Sequence, residues 1–141
     1  MTLDEFRIYH SEIIEQFQWL EYNLKRILSK QTNRLDMDKM DALEKENIGQ
    51  LIQCIKNFEK KNQINILTEE DYIMLEKMRE RRNYWCHQCY LDIVVKKDEH
   101  RKLVVRKDGM ILGLKMDLRD IESLQNKIEE LYFNLFRNIR N

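Results

Sequence analysis

Proline is absent from this chain, and glycine occurs only three times in 141 residues. Those are the two residues that most readily break a helix: proline removes a backbone donor and clashes with the preceding turn, and glycine costs backbone entropy. In their place the sequence offers apolar residues at steps of three and four. From Leu3 they recur at Phe6, Ile13, Phe17, Leu20, Leu24 and Ile27, with one gap at His10. That spacing belongs to a long amphipathic helix.

The same reading continues down the chain. "QTNRLDMD" is a polar break in which Asp36 or Asp38 can cap a second helix. That helix runs through Leu43, Ile48, Leu51, Ile55 and Phe58 and fades in "EKKNQ". In "LTEEDYIML" Thr68 is a capping residue, with Asp71 in the reciprocal position three residues on, opening a third helix that reaches about Tyr90. The segment "DIVVKKDEHRKLVVRKDGMILGLKM" is rich in β-branched residues and holds Asp108-Gly109 between two apolar runs, the signature of a hairpin pairing 101–106 with 110–115. A last helix follows from Asp117, with Ile121, Leu124, Ile128, Leu131, Leu135 and Ile139 on one stripe. The expected fold is mainly all-α: an up-and-down bundle of about four long helices, with a small β-hairpin between the third and fourth, forming one domain over residues 1–141.

Apolar residues make up 43% of the chain and charged residues 35%, enough for a core without metal or disulfide staples. No apolar run approaches the ~20 residues of a membrane span, and "MTLDEFRIYH" lacks the basic-then-apolar pattern of a secretory signal. Three cysteines, an odd number, speak against a disulfide framework and for a reducing, cytoplasmic setting. Basic and acidic residues balance at 25 each, which makes the chain a poor general nucleic-acid coat, so any RNA contact should be local. Residues 79 to 107 nevertheless hold nine Lys/Arg against four Asp/Glu. That local excess is either a solvated face or a small anion-attracting region.

Chemistry concentrates in "RRNYWCHQCY", residues 81 to 90. Cys86-x-x-Cys89 encloses His87, but a closed zinc site needs a fourth ligand, and Cys54, His10 and His100 stand at no recognised spacing. A thioredoxin-type pair needs a preceding strand where this sequence has a helix. Buried small hydrophobes are the simpler reading of the cysteines, so no metal and no cofactor are expected. On the third helix Leu75, Met78, Arg82, Trp85 and Cys89 share one seam, so Arg82 interrupts an apolar stripe. A guanidinium there needs an anion or a cleft, unless it snorkels to solvent. In a regular α-helix Arg82 and His87 stand about 140° apart around the axis.

Arg82-Asn83-Tyr84-Trp85-Cys86-His87 reads R-N-x-x-x-H, which resembles the R-x(4–6)-H signature of the HEPN superfamily (higher eukaryotes and prokaryotes nucleotide-binding domain), in which a polar residue follows the arginine. The helical context late in a third long helix is similar as well, and "NIGQLI", residues 47 to 52, echoes a second-helix stretch of some branches. Cys89 departs from the aromatic common near that position. The resemblance implies metal-independent RNA cleavage with Arg82, Asn83 and His87 as the catalytic set, in a toxin of a toxin–antitoxin pair or a phage-defence nuclease. The RNA 2′-hydroxyl attacks the adjacent phosphate, giving a 2′,3′-cyclic phosphate and a 5′-hydroxyl. A histidine suits the proton transfers, and an arginine fork suits the charge developing on phosphorus. Asn83 would orient His87 or bind a nonbridging oxygen.

One chain supplies one motif histidine, whereas acid and base together call for two. A C2 homodimer with its third helices near the axis supplies the second, as the resemblance also implies. Arg79, Tyr84 and Tyr90 are candidate substrate-binding residues beside the motif, the tyrosines as stacking surfaces, with core packing the alternative for aromatics so spaced. His10, on the first helix's seam, reads as a satisfied core histidine. The expected partners are RNA, a second copy of the chain and a possible antitoxin, with no membrane. Two other readings stay open: a non-catalytic HEPN-like dimeric scaffold or nucleotide-binding partner protein, and a plain helical bundle whose motif is coincidence.

Overall fold

The computed structural model describes residues 2–30, 35–92, 95–97, 103–105 and 110–135. Among them four helices exceed ten residues: α1 (Leu3–Ser29), α3 (Ile48–Asn62), α4 (Glu69–Asn83) and α6 (Met110–Asn134). The shorter elements are α2 (Met37–Ala42), a π-helical turn (Tyr84–Gln88), α5 (Cys89–Asp92), and strands β1 (Val95–Lys97) and β2 (Leu103–Val105). The all-α class therefore holds, and no described helix is long and apolar enough to cross a membrane.

Helix α1 begins where Thr2 Oγ1 accepts from the Glu5 amide at 3.1 Å, and its seam is the centre of the molecule. Phe6, Ile13, Phe17, Leu20, Leu24 and Ile27 are all buried. They pack mainly against α6 and also meet α2, α3 and α4. From the other side the core is closed by Ile48, Leu51 and Ile55 of α3, Leu75 and Met78 of α4, and Leu114, Ile121 and Ile128 of α6. Each such side chain contributes about 1.5–3 kcal/mol by leaving water. One polar pair inside links two helices: Asn23 Nδ2 of α1 donates to Gln125 Oε1 of α6 at 3.0 Å.

Three expectations need correction. The second helix is two helices. Asp36 caps α2, its Oδ1 accepting from the amides of Asp38 and Lys39, and α2 ends at Leu43. Asn47 and Gln50 then form a reciprocal capping box that starts α3 anew. The hairpin between 101–106 and 110–115 does not form, because residues 110–115 are the first turns of α6, which begins seven residues before Asp117. The expected turn, Asp108-Gly109, lies outside the described residues. Strand β2 instead pairs antiparallel with β1, Val95 opposite Val105 and Lys97 opposite Leu103. Helical packing wins over β-propensity at 110–121 because Met110, Leu114, Asp117 and Ile121, stepped by four, three and four, all reach the interior. Thr68 and Asp71, by contrast, form the capping box that their spacing implies.

The third helix is interrupted within the motif. Cys89 N–H donates to the Tyr84 carbonyl, five residues back, in place of the usual four. This leaves the Trp85 carbonyl without its helical donor, and His10 Nε2 donates to it across the bundle at 2.7 Å. Cys89 Sγ donates to the same oxygen at 3.2 Å. The gap in the α1 seam at His10 is therefore filled by a polar contact that holds the widened turn open.

Candidate functional site: an arginine cleft beside an exposed histidine

Two anchors place the motif. Trp85 is 1% exposed, and its indole Nε1 donates to Asp117 Oδ2 at 2.8 Å. Arg81 Nε donates to the same oxygen at 2.6 Å, while the Arg81 guanidinium lies 4.8 Å from the Tyr84 ring centroid. Asp117 of α6 thus commits Arg81 to structure. The second anchor is the His10 contact from α1. Between them the backbone of residues 84–88 is fixed on two sides.

Arg82 meets α1. Its Nε stands 2.9 Å from Glu21 Oε1, the two side chains being 29% and 16% exposed. That oxygen is shielded from solvent and has no directed hydrogen bond, so the contact is a close ion pair with imperfect alignment. The guanidinium that interrupts the α4 stripe is therefore paired with a charge from the neighbouring helix. Arg79 pairs within its own helix, Nε to Glu76 Oε2 at 2.8 Å, at the surface, and Glu76 raises its already high pKa. All three arginines from 79 to 82 thus carry a carboxylate partner, which mutes the basic excess seen in the sequence.

Arg79, Arg82 and Asn83 nonetheless line one cleft of about 120 Å³, closed on the far side by Asn47, Ile48 and Gly49 at the start of α3. Among the described residues no carboxylate lines it. Asn47 Oδ1 takes the Gln50 amide and the Asn47 carbonyl takes the Leu51 amide. The amides of Ile48 and Gly49 remain as first-turn donors at the positive end of α3. Gly49 has no side chain where Arg79 crosses: a Cβ there would stand 2.9 Å from Arg79 Cδ. Two guanidiniums, an amide side chain and a helix start suit a phosphate group.

The remaining candidates fall around this cleft without lining it. His87 is exposed, on the widened turn just beyond Arg82. That turn spends more residues per revolution than an α-helix, so it narrows the ~140° that regular geometry sets between residues 82 and 87. Tyr84 is half-buried against Arg81 and Trp85. Burial and then a hydrogen bond to Asp92 raise its pKa. Tyr90 is exposed and edges against Phe6 and His10. Cys86 is exposed as a residue, yet burial of its sulfur raises the thiol pKa, Arg82 opposing and Glu21 adding to the shift. Cys89 is buried, with its thiol also pushed up by burial. Neither cysteine is disposed to be a thiolate, and the described residues hold no group of three or more potential metal ligands.

Sequence reasoning missed Glu21, Asn47 and Gly49 as parts of this region. Glu21 was visible as an acid four residues after Phe17 on a buried seam, and the N-x-x-Q capping pattern marks Asn47. No protein-family model, curated protein or solved structure matches the chain.

Proposed function

We propose that the chain is a metal-independent endoribonuclease of HEPN type, working in the cytoplasm as a homodimer and acting as a toxin or phage-defence nuclease. The observation that carries this reading is the juxtaposition at the end of α4. Arg82 and Asn83 face a cleft at the start of α3 that no carboxylate of the described residues lines, and the motif histidine stands exposed on the next turn. In this reading the cleft holds a phosphate of the RNA through the Arg79 and Arg82 forks and the free amides of α3. His87, outside the cleft, acts on the neighbouring 2′-hydroxyl or the leaving oxygen. The second histidine comes from a partner chain across a two-fold axis near α4, and Ile73, an apolar residue 65% exposed on that helix, supplies an apolar contact there. An antitoxin would act by covering this face.

The test is incubation of purified protein with RNA in EDTA. Products ending in 2′,3′-cyclic phosphate, lost in both Arg82→Ala and His87→Ala, support the enzyme. Cleavage that vanishes in EDTA and returns with a divalent metal rejects the mechanism. A second reading, a nucleotide-binding partner protein with an idle motif, is favoured by His87 lying outside the cleft that Arg79 and Arg82 line. Nucleotides that raise the melting temperature, with no RNA cut under any condition, would select it.

A further inference from the structure

We infer that Glu21 is a positioning residue for Arg82: from α1 it holds one edge of the guanidinium so that the other edge is presented to a phosphate in the cleft. This rests on the ribonuclease reading above and assigns that site a part from a helix far away in sequence.

The three arginines near the motif differ in how they are held. Arg81 is consumed by Asp117 at 2.6 Å. Arg79 leans on Glu76 one turn back, both side chains more than two-fifths exposed, 41% and 44%. A pair of that kind leaves a long side chain free to wander. Arg82 alone combines a partner on another helix, partial burial and a place in the cleft. Its partner is rigid, because Phe17, Leu20 and Leu24 on either side of Glu21 are core residues. The carboxylate approaches at Nε. The terminal nitrogens are the edge that grips two phosphate oxygens at once, and no further ion pair or hydrogen bond of this guanidinium is seen among the described residues. The restraint is mutual, since Glu21 Oε1 is shielded from solvent, accepts no hydrogen bond and has the Arg82 guanidinium as its ion-pair partner. Glu21 itself does not line the cleft, so it orients the arginine without occupying the anion's place.

The test compares Glu21→Gln with Glu21→Ala in the full chain. Glutamine keeps an oxygen of the same reach that can stand against Nε, whereas alanine leaves Arg82 loose. For Glu21→Ala, kcat for RNA cleavage in EDTA should fall about 10- to 100-fold with little change in KM, the signature of a mispositioned group that acts in the transition state. Glu21→Gln should recover most of that loss, and both variants should melt as cooperatively as the wild type. Full activity in the alanine variant overturns the inference. So does a glutamine variant as impaired as alanine, which would make the charge, and not the placement, the point. A readout independent of cleavage is the Arg82 Nε–Hε resonance in a 15N-labelled sample: shifted and slow to exchange in wild type and Glu21→Gln, and exchange-broadened in Glu21→Ala. If the wild type cuts no RNA, the ribonuclease reading fails on its own account. The resonance then still decides whether Glu21 holds the guanidinium, and an unchanged signal in Glu21→Ala overturns that.

Discussion

Replacing Asp117 by alanine should be the most damaging single change near the site, although the residue touches no part of the cleft. One oxygen, Oδ2, receives the Trp85 indole at 2.8 Å and the Arg81 Nε at 2.6 Å. Without it the indole N–H, inside a residue 1% exposed, has no acceptor, which costs about 1–3 kcal/mol. Arg81 loses a charge-assisted bond, but its side chain is 32% exposed. It can turn to water, so its share is about 1–2 kcal/mol, below the value for a fully buried pair. The sum is about 2–5 kcal/mol. Asp117→Asn keeps one oxygen able to accept from both donors but loses the charge that strengthens the Arg81 bond, and should lose about 1–2 kcal/mol. Urea unfolding should move to a lower midpoint with an unchanged slope, and the alanine variant should melt roughly 10 °C lower. Because Trp85 sits inside the π-helical turn, backbone amides of residues 84–88 should exchange faster in Asp117→Asn than those of α1. An alanine variant within about 0.5 kcal/mol of wild type would refute the view that this carboxylate anchors the motif.

Three other outcomes follow from the same contacts. Burial raises the Asp71 pKa, but Lys127 and the amide and hydroxyl of Thr68 outweigh it and hold the carboxyl below its usual value. Its stabilising contribution is therefore complete above the unfolded value near ~4 and is lost as the pH falls through the lower folded value. Asp71→Asn should flatten the stability–pH curve on that acid side, and an unchanged acid limb in urea titrations would contradict it. Gln63 ends α3 in the left-handed region, φ 54°, where glycine is at ease; Gln63→Gly should stabilise by up to about 1 kcal/mol, read from the denaturation midpoint. Ile73→Asp should convert a dimer to a monomer in sedimentation runs with little change in subunit stability, since the side chain is 65% exposed; an unaltered oligomeric state would remove α4 from the axis.

How much of this was legible depends on the range of the interactions involved. The seams of α1 and the Thr68 cap depend on residues within one or two turns of each other, and short-range spacing conveys them. The split between α2 and α3 was also marked locally, because Leu43 to Ile48 is a step of five that an α-helical period does not accommodate. In "MILGLKM" β-branched and apolar density obscured a helical step that Met110 and Leu114 already take. The π-helical turn is another matter. It depends on His10 donating to a carbonyl 75 positions later, and no local pattern in residues 84–88 announces that donor.

The Glu21–Arg82 pair shows where such long-range information is stored. Glu21 lies four residues after Phe17 and three before Leu24, and Arg82 lies four after Met78 and three before Trp85. Each is a charge set into an apolar stripe, and each alone is costly to bury. Opposite charges at matching places on two stripes that pack against each other relieve one another, and the helices' register then decides which edge of the guanidinium stays free. The specific geometry at the motif is thus a property of α1 as much as of α4. A six-residue signature holds the arginine and the histidine, while the acid that pairs with the arginine sits 61 positions upstream. Exchanging the two charges, Glu21→Arg with Arg82→Glu, should therefore restore most of the stability lost in either single variant, read as a coupling energy in a double-mutant cycle. It should not restore any function that needs a guanidinium facing the start of α3. Recovery of RNA cleavage in the swapped protein would show that the arginine's position is immaterial, and would break the link drawn here between the α1 seam and the cleft.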